Sequence, residues 1–544
     1  MNTRQLQTDK NQKLYHALLG ILLVCALAMM MLLSYWACKY SYYGAVDGRT
    51  RGVLVGDKTW AHIAVFLAAS LCTMGIDKVL MKKDKSQQEK ICMCTLIVTS
   101  VIAFILGVFY VCKNPYYPVG DQINTTAFAA YCRDGNFSML SIGGYVGMYQ
   151  QQKGLAILYE ILFTLFGDFN YRPAKILHVV WWILTILAGY GFLKLNTDRP
   201  VFRMLYCVMM LGCFPLLFYL PYIYGDVLSI SFGIILFYGV AAYEHSGQKR
   251  YIALASFAAG LAVLARKNTW IVLVAVAVYV LLVSLRKKKV RYLMAGTAIL
   301  LTAALSVKAV DVIYEVRSGY PSGVGIPSIL WVAMGLQETE GRAGVYNRYQ
   351  QATFTDYACQ QELAAQQGKE YIRERLEEFS QDPGMAFNFF KNKVEGQWIE
   401  PMYAALESTE SFEEGAELSP VLESLYYGEL GRTIWKLTNY YQSILYLAGL
   451  MALVMLGILW WKKKEVPISL WLPWIAVFGG FLFSILWEAK SRYVFPYCVF
   501  MILYAPEGLY QTGLLLCKLP KLRKFKKSGH TQDKGEEASL RETA

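Results

Sequence analysis

Twelve predominantly apolar runs recur along this chain, at 15–38, 59–76, 91–112, 174–195, 202–222, 226–244, 251–265, 268–285, 292–311, 439–461, 467–487 and 493–516. Most approach the ~20 residues that a helix needs to cross a hydrocarbon core. The apolar character runs all round rather than along one stripe, as in a membrane span. A thirteenth stretch, 154–167, is short and carries Glu160. The run 251–285 is interrupted at Arg266-Lys267-Asn268. As one helix it would be about 50 Å long at ~1.5 Å per residue, so it reads as a hairpin. Its first arm, 251–265, is then only about 22 Å long. That arm stops short of the outer surface and leaves Arg266 and Lys267 facing a polar cavity, with snorkelling to the interface as the structural alternative. The first run is too long for a signal-peptide core and lacks a small-residue cleavage site, so it reads as a retained anchor.

The expected fold class is an all-α polytopic membrane protein with about twelve transmembrane helices and two outer-face segments carrying interfacial helices. The organisation follows: 1–112 holds three spans, 113–173 a first outer loop, 174–311 a six-helix core, 312–438 a large outer segment, 439–516 three more spans, and 517–544 a basic tail. Within the large segment, 359–380 reads as a charged surface helix. A second helix starts after Asp382-Pro383 and ends at Trp398. Residues 407–417, with Glu407, Glu410, Glu413, Glu414 and Glu417, read as an exposed acidic loop.

Composition agrees with the pattern. The chain is 56% hydrophobic and 17% charged with mean hydropathy +0.33, which excludes a soluble or disordered class. Net charge is +13, but 311–438 holds 20 acidic and 10 basic residues. The positive charge therefore sits in short loops between apolar runs, the mark of the cytoplasmic side rather than of nucleic-acid binding. If 154–167 spanned, every later basic cluster would move outside, so it reads as an interfacial helix lying flat. The chain is then a multi-pass plasma-membrane protein of bacterial type, with both termini cytoplasmic and its large loops outside. Most of the twelve cysteines fall inside apolar runs. Cys92 and Cys94 lack metal-ligand spacing, and only Cys132 and Cys359 lie in loops where a disulfide could be considered.

Candidate chemistry gathers on the outer face. Asp121 lies on the Pro/Gly-broken loop Asn114–Gln122, flanked by Tyr117 and Gln122, and also reads as a cap of the run that follows. Asp226 opens a span after Gly225, where the structural alternative is an N-cap. Lys490 and Arg492, in Glu488-Ala-Lys-Ser-Arg-Tyr493, are cations on the side that normally excludes them; pairing with Glu488 is the structural alternative. Arginine suits phosphate because its planar fork binds two oxygens at once. His178 is the one histidine near this face, and a structural role suits it best. Nucleotide, dinucleotide, zinc and G-x-S-x-G motifs are missing from the sequence. No cofactor is called for, and a divalent metal is left open. An outward enzyme without nucleotides needs an activated substrate already in the lipid, such as a sugar on a polyprenyl phosphate. A carboxylate would deprotonate the acceptor hydroxyl, and cations would stabilise the departing phosphate.

The Asp121 loop, Tyr171-Arg-Pro173, the Gly225-Asp226 helix start and Arg492-Tyr-Val-Phe-Pro496 resemble the GT-C superfamily of glycosyltransferases, in particular the protein O-mannosyltransferase and lipid A aminoarabinose transferase branch. The resemblance covers roughly residues 90–310 and 440–510. It implies inverting sugar transfer from a polyprenyl-phosphate donor, undecaprenyl in a bacterium, to a glycan, lipid or protein acceptor. It also implies Asp121 as base and Asp226 as a second acidic site residue. Arg492, Arg266, Lys267 and Lys490 would hold the donor phosphate, with Gln122, Tyr117, Tyr493 and Glu488 around the substrate. Gln122 stands where O-mannosyltransferases often carry a second acid, and two spans precede the usual first one. Two other readings compete. One is a polysaccharide polymerase or ligase using a lipid-diphosphate-linked glycan, resting on Arg342 and Arg348. The other is a non-enzymatic transporter, for which the expected repeats are not seen.

Overall fold

A computed structural model describes residues 3–43, 53–287, 289–464 and 466–518. The expected tail from 519 onward lies outside the described residues. The chain is 78% helical. Among the described residues its strands form two small antiparallel pairs, Tyr40–Tyr43 with Val53–Gly56 and Glu338–Thr339 with Arg342–Ala343.

Nine helices among the described residues are long and apolar enough to cross a membrane, which makes this a multi-pass membrane protein: Asn11–Lys39, Thr59–Leu80, Lys85–Lys113, Arg172–Asn196, Asp226–Ser246, Lys267–Lys287, Val290–Ser318, Glu429–Trp461 and Ile468–Leu486. Their ends carry ordinary stop and start chemistry. Asp84 caps Lys85–Lys113 by accepting the Gln87 N–H at 2.9 Å. Gly247 and Gly319, at φ 71° and 75°, close two helices in the left-handed conformation that favours glycine.

The other three apolar runs are helical but not unbroken spans. The 202–222 run is Pro200–Leu211 followed by the single turn Phe214–Phe218, parted at Gly212-Cys213 ahead of Pro215. The last run is Ser491–Met501 and a second helix over 505–518, parted at 502–504. Pro506 lies in the first turn of that second helix, where its missing N–H costs no helical hydrogen bond. The third is Lys249–Ala265, ended by Arg266 in extended conformation (φ −150°, ψ 125°). A 3-10 turn, Lys267–Thr269, follows, and then Trp270–Lys287. This is the expected hairpin: Asp226 meets Arg266 at one end of the bundle, and Glu244 meets Lys287 at the other, at 2.8 Å.

The bundle thus has two chemically distinct poles. One gathers the short basic loops, whose charges are tied to the helix ends by Arg203–Glu89, Arg199–Asp77 and Lys287–Glu244 pairs. The other gathers 113–173, the acidic segment and the 488–492 loop. There the short helix Lys153–Phe166 is held to Val290–Ser318 by Lys153–Asp311 at 2.5 Å and Glu160–Arg317 at 2.6 Å. The two pairs are spaced alike on both helices, so the short helix runs along its neighbour over that stretch rather than lying flat as the charge pattern predicts. In the acidic segment, Gln361–Gln381 and Pro383–Trp398 form as expected, with Asp382 capping the second through the Met385 N–H. The 407–417 stretch departs from expectation. Glu413, Glu414 and Glu417 are exposed, but Glu407 and Glu410 turn inward and are half-buried.

Candidate active site at the acidic pole

The Asp121 loop is fastened on three sides. Tyr116 bridges to Phe412, the Tyr117 N–H donates to the Ser411 carbonyl, and the Glu413 N–H donates to the Pro115 carbonyl. From below, the buried Lys175 ammonium donates to the Tyr116 carbonyl at 2.8 Å. The Tyr116 hydroxyl donates to the side-chain carbonyl of Gln122, which is buried. Gln122 is therefore a brace for the loop, and Tyr117 packs edge-on against Tyr171. Gly120, at φ 58°, is the N-cap, and Asp121 is the first residue of the helix Asp121–Arg133. The expected capping by Asp121 is not made. Its carboxylate is exposed and instead accepts the Tyr145 hydroxyl at 2.9 Å.

Asp226 likewise does not cap its helix, because Gly225 occupies the N-cap position without a side-chain bond. Asp226 is buried and forms an ion pair with Arg266. The backbone approach that allows this is tight. A Cβ on Gly225 would lie 2.0 Å from the Ala265 carbonyl oxygen and 2.9 Å from Arg266 Cγ. Arg266, read from sequence as a phosphate ligand, is thus committed to Asp226, and it also lies 5.5 Å and 5.4 Å from the ring centres of Tyr224 and Tyr493.

Arg492 is different. It is buried, its Nε has no hydrogen-bond partner, and no carboxylate among the described residues lies within ion-pair distance. The expected structural alternative, pairing with Glu488, is not formed. Tyr222, Tyr224 and Tyr493 surround the guanidinium at 5.2, 5.2 and 5.5 Å. Such cation–π contacts help to hold a cation, but they leave its buried Nε–H unsatisfied. Glu488 is buried and accepts the Tyr493 hydroxyl at 3.4 Å. Burial pushes its carboxyl up to about 7, with the Asp121 charge adding to the rise and Lys490 opposing it. The charge of Asp121 also acts on Tyr145 and Tyr224, raising each hydroxyl after the larger effect of burial.

Five residues of this pole line one cleft. Arg266, Lys267, Glu488, Tyr224 and Tyr493 line it, closed by Gln152 and the stacked pair Trp331 and Trp487, whose rings are 5.9 Å apart at 4°. Arg266, Lys267, Glu488 and Tyr493 thus share its wall, and three further residues adjoin it: Asp226 through its ion pair with Arg266, Arg492 through the rings of Tyr224 and Tyr493, and Asp121 through its charge on Glu488 and Tyr224. Lys490 is the exception, since it lines a separate cavity. Tyr145, Tyr222, Tyr224, Trp331 and Trp487 were not singled out from sequence; in a chain with 39 Tyr and 13 Trp, residue type alone marks none of them. His178 is buried against the Leu220 carbonyl and is structural. Cys132 and Cys359 are free thiols. Among the described residues, no group of three or more His, Cys, Asp or Glu is arranged to hold a metal ion.

Fold and site define a polytopic α-helical membrane protein with a charged, aromatic-walled cleft at its acidic pole. No protein-family model, curated protein or solved structure matches the chain.

Proposed function

We propose that this protein is a membrane glycosyltransferase of GT-C type. It moves a sugar from a polyprenyl-phosphate donor to an acceptor hydroxyl on the outer face of the plasma membrane, with inversion and with Asp121 as base. The chain crosses the membrane twelve times in this reading, the broken and short helices included, with its basic pole and both termini in the cytoplasm. The observation that supports it best is Arg492. A buried guanidinium with no carboxylate partner is costly, and an anion arriving in the cleft would relieve that cost.

In the proposed reaction, Asp121 accepts the proton of the acceptor hydroxyl. The acceptor oxygen forms its bond to the anomeric carbon as the bond from that carbon to the phosphate oxygen breaks. The departing polyprenyl phosphate keeps the electron pair, and Arg492 stabilises its charge, with Lys267 at the rim. Tyr145 fixes the rotamer of Asp121. Trp331 and Trp487 offer an apolar face for a sugar ring. The test is turnover of a labelled polyprenyl-phosphate sugar by the purified protein. Asp121→Asn abolishes turnover while donor binding is retained, and Arg492→Ala weakens donor binding. Unchanged turnover in Asp121→Asn overturns the reading.

A further inference from the structure

The 488–492 loop is a wall with a cavity on each side. Glu488 and Tyr493 face the cleft lined by Arg266 and Lys267, whereas Lys490 faces a second cavity of about 240 Å³ between that loop, the 341–345 turn and the helix Pro383–Trp398. Arg342, Lys393 and Lys490 converge on this cavity from three segments, together with Glu395, Glu400 and Glu407.

The carboxylates are largely occupied. Glu400 accepts the backbone N–H groups of Met402 at 2.8 Å and Ala404 at 2.5 Å. This holds Tyr403 and Ala404 at φ 51° and 56°, a left-handed conformation that non-glycine residues seldom adopt. One oxygen of Glu395 pairs with Lys391 at 2.9 Å; the other is buried without a partner. Burial pushes the carboxyls of Glu400 and Glu407 upward, towards their neutral forms. Among the cations, Arg342 pairs with Glu340 at 3.4 Å, and the two lysines are less occupied. Lys393, almost fully buried, spends one N–H on the Gly335 carbonyl, and Lys490 has no hydrogen-bond partner among the described residues. Burial pushes the Lys393 ammonium down to about 7, a charge that a bound anion would restore.

We infer that this cavity binds an acidic sugar residue of the acceptor, one bearing a carboxylate or phosphate, with the oxyanion on Lys490, Lys393 and Arg342 and a hydroxyl towards Glu395. Its volume is below the ~300–1,000 Å³ usual for drug-sized ligands, so it takes a single residue rather than a chain segment. The inference rests on the transferase reading only in naming the ligand an acceptor; the anion site itself is tested without turnover.

The experiment is equilibrium binding of labelled inorganic phosphate, with D-glucuronic acid as competitor, to the full-length protein in detergent. Arg492→Ala serves as the background, so that the cleft's own anion site is silent. Saturable phosphate binding is expected to survive in Arg492→Ala. It should weaken at least tenfold when Lys490→Gln is added, and equally with Arg342→Gln in its place; both side chains are at the cavity's edge rather than in the core. Displacement by glucuronic acid assigns a carboxylate-bearing acceptor, and binding of phosphate alone assigns a phosphorylated one. Absence of binding in Arg492→Ala overturns the inference, as does binding that neither added substitution changes. Loss of turnover in Asp121→Asn is read separately, so failure of the transferase reading leaves this result standing.

Discussion

Arg266 closes an ion pair with Asp226, 40 residues earlier in the chain, and the two side chains keep only 10% and 2% of their exposure. The pair locks the break between two helices to the start of a third, so it is a positioning contact for the cleft. Removing one partner strands a buried charge, which costs roughly 3–5 kcal/mol. Asp226→Asn and Arg266→Met should each lower the unfolding temperature in detergent by several degrees. The double variant should recover most of the loss. Additive losses would show that the two side chains act independently.

Tyr145 holds Asp121 from a separate helical turn, through the one side-chain bond that the carboxylate accepts among the described residues. Tyr145→Phe keeps the ring against Tyr149 and deletes that bond. Under the proposed mechanism the base becomes mobile rather than absent. The expected outcome is a fall in kcat of roughly tenfold, small beside the ~10²–10⁴ carried by a general base. KM for the donor should be unchanged. A Tyr145→Phe protein as inactive as Asp121→Asn would place the hydroxyl itself in the chemistry.

The layout was legible where one-dimensional signals suffice. The cations at Arg266 and Lys267 cut 251–285 into a hairpin, and Asp382-Pro383 set the second helix of the acidic segment. The loop charges correctly sorted the chain ends of the bundle into a basic and an acidic pole. What escaped depends on partners far apart in sequence. Asp226 and Asp121 each read as a cap, and each proved to be the first helical residue behind a glycine cap, its side chain turned to Arg266 or Tyr145. Arg492 and Arg266 looked equivalent as outer cations. Only the fold separates a paired arginine from an unpaired one, and Lys490 from both. The 407–417 stretch read as exposed because its charge density is high, yet Glu407 and Glu410 lie against the packed helices around them.

Glu488 gives the cleft a pH signature. Its carboxyl is raised from 4.5 to about 7, mainly by burial. Between those values the folded protein holds a proton that the unfolded chain has released, so stability falls as pH rises through this window. The contribution is on the order of 3 kcal/mol. Glu488→Gln should make the fall of the unfolding temperature between pH 5 and about 7 shallower, the raised carboxyls of Glu400 and Glu407 keeping their share, and leave the acid limb below pH 4.5 as it is. An identical pH profile in the variant would assign the dependence to other groups.

The two arginines of the cleft should respond in opposite ways. Arg266 is paired, so its removal destabilises the protein. Arg492 is buried with no anionic partner, so the empty protein already bears the cost of its desolvation. Arg492→Met, which keeps much of the volume between Tyr222, Tyr224 and Tyr493, should therefore leave the unfolding temperature unchanged or raise it by a few degrees. Wild-type protein should gain stability when a polyprenyl phosphate is added, because a ligand that binds only the folded state shifts the equilibrium toward it. Arg492→Met should gain little. Arg492→Lys should lie between, since an ammonium keeps the charge but loses the fork and the stacked plane, and donor affinity should fall roughly tenfold. A clear loss of stability in ligand-free Arg492→Met would show that the guanidinium serves the fold. It would also remove the observation on which the anion site in the cleft rests.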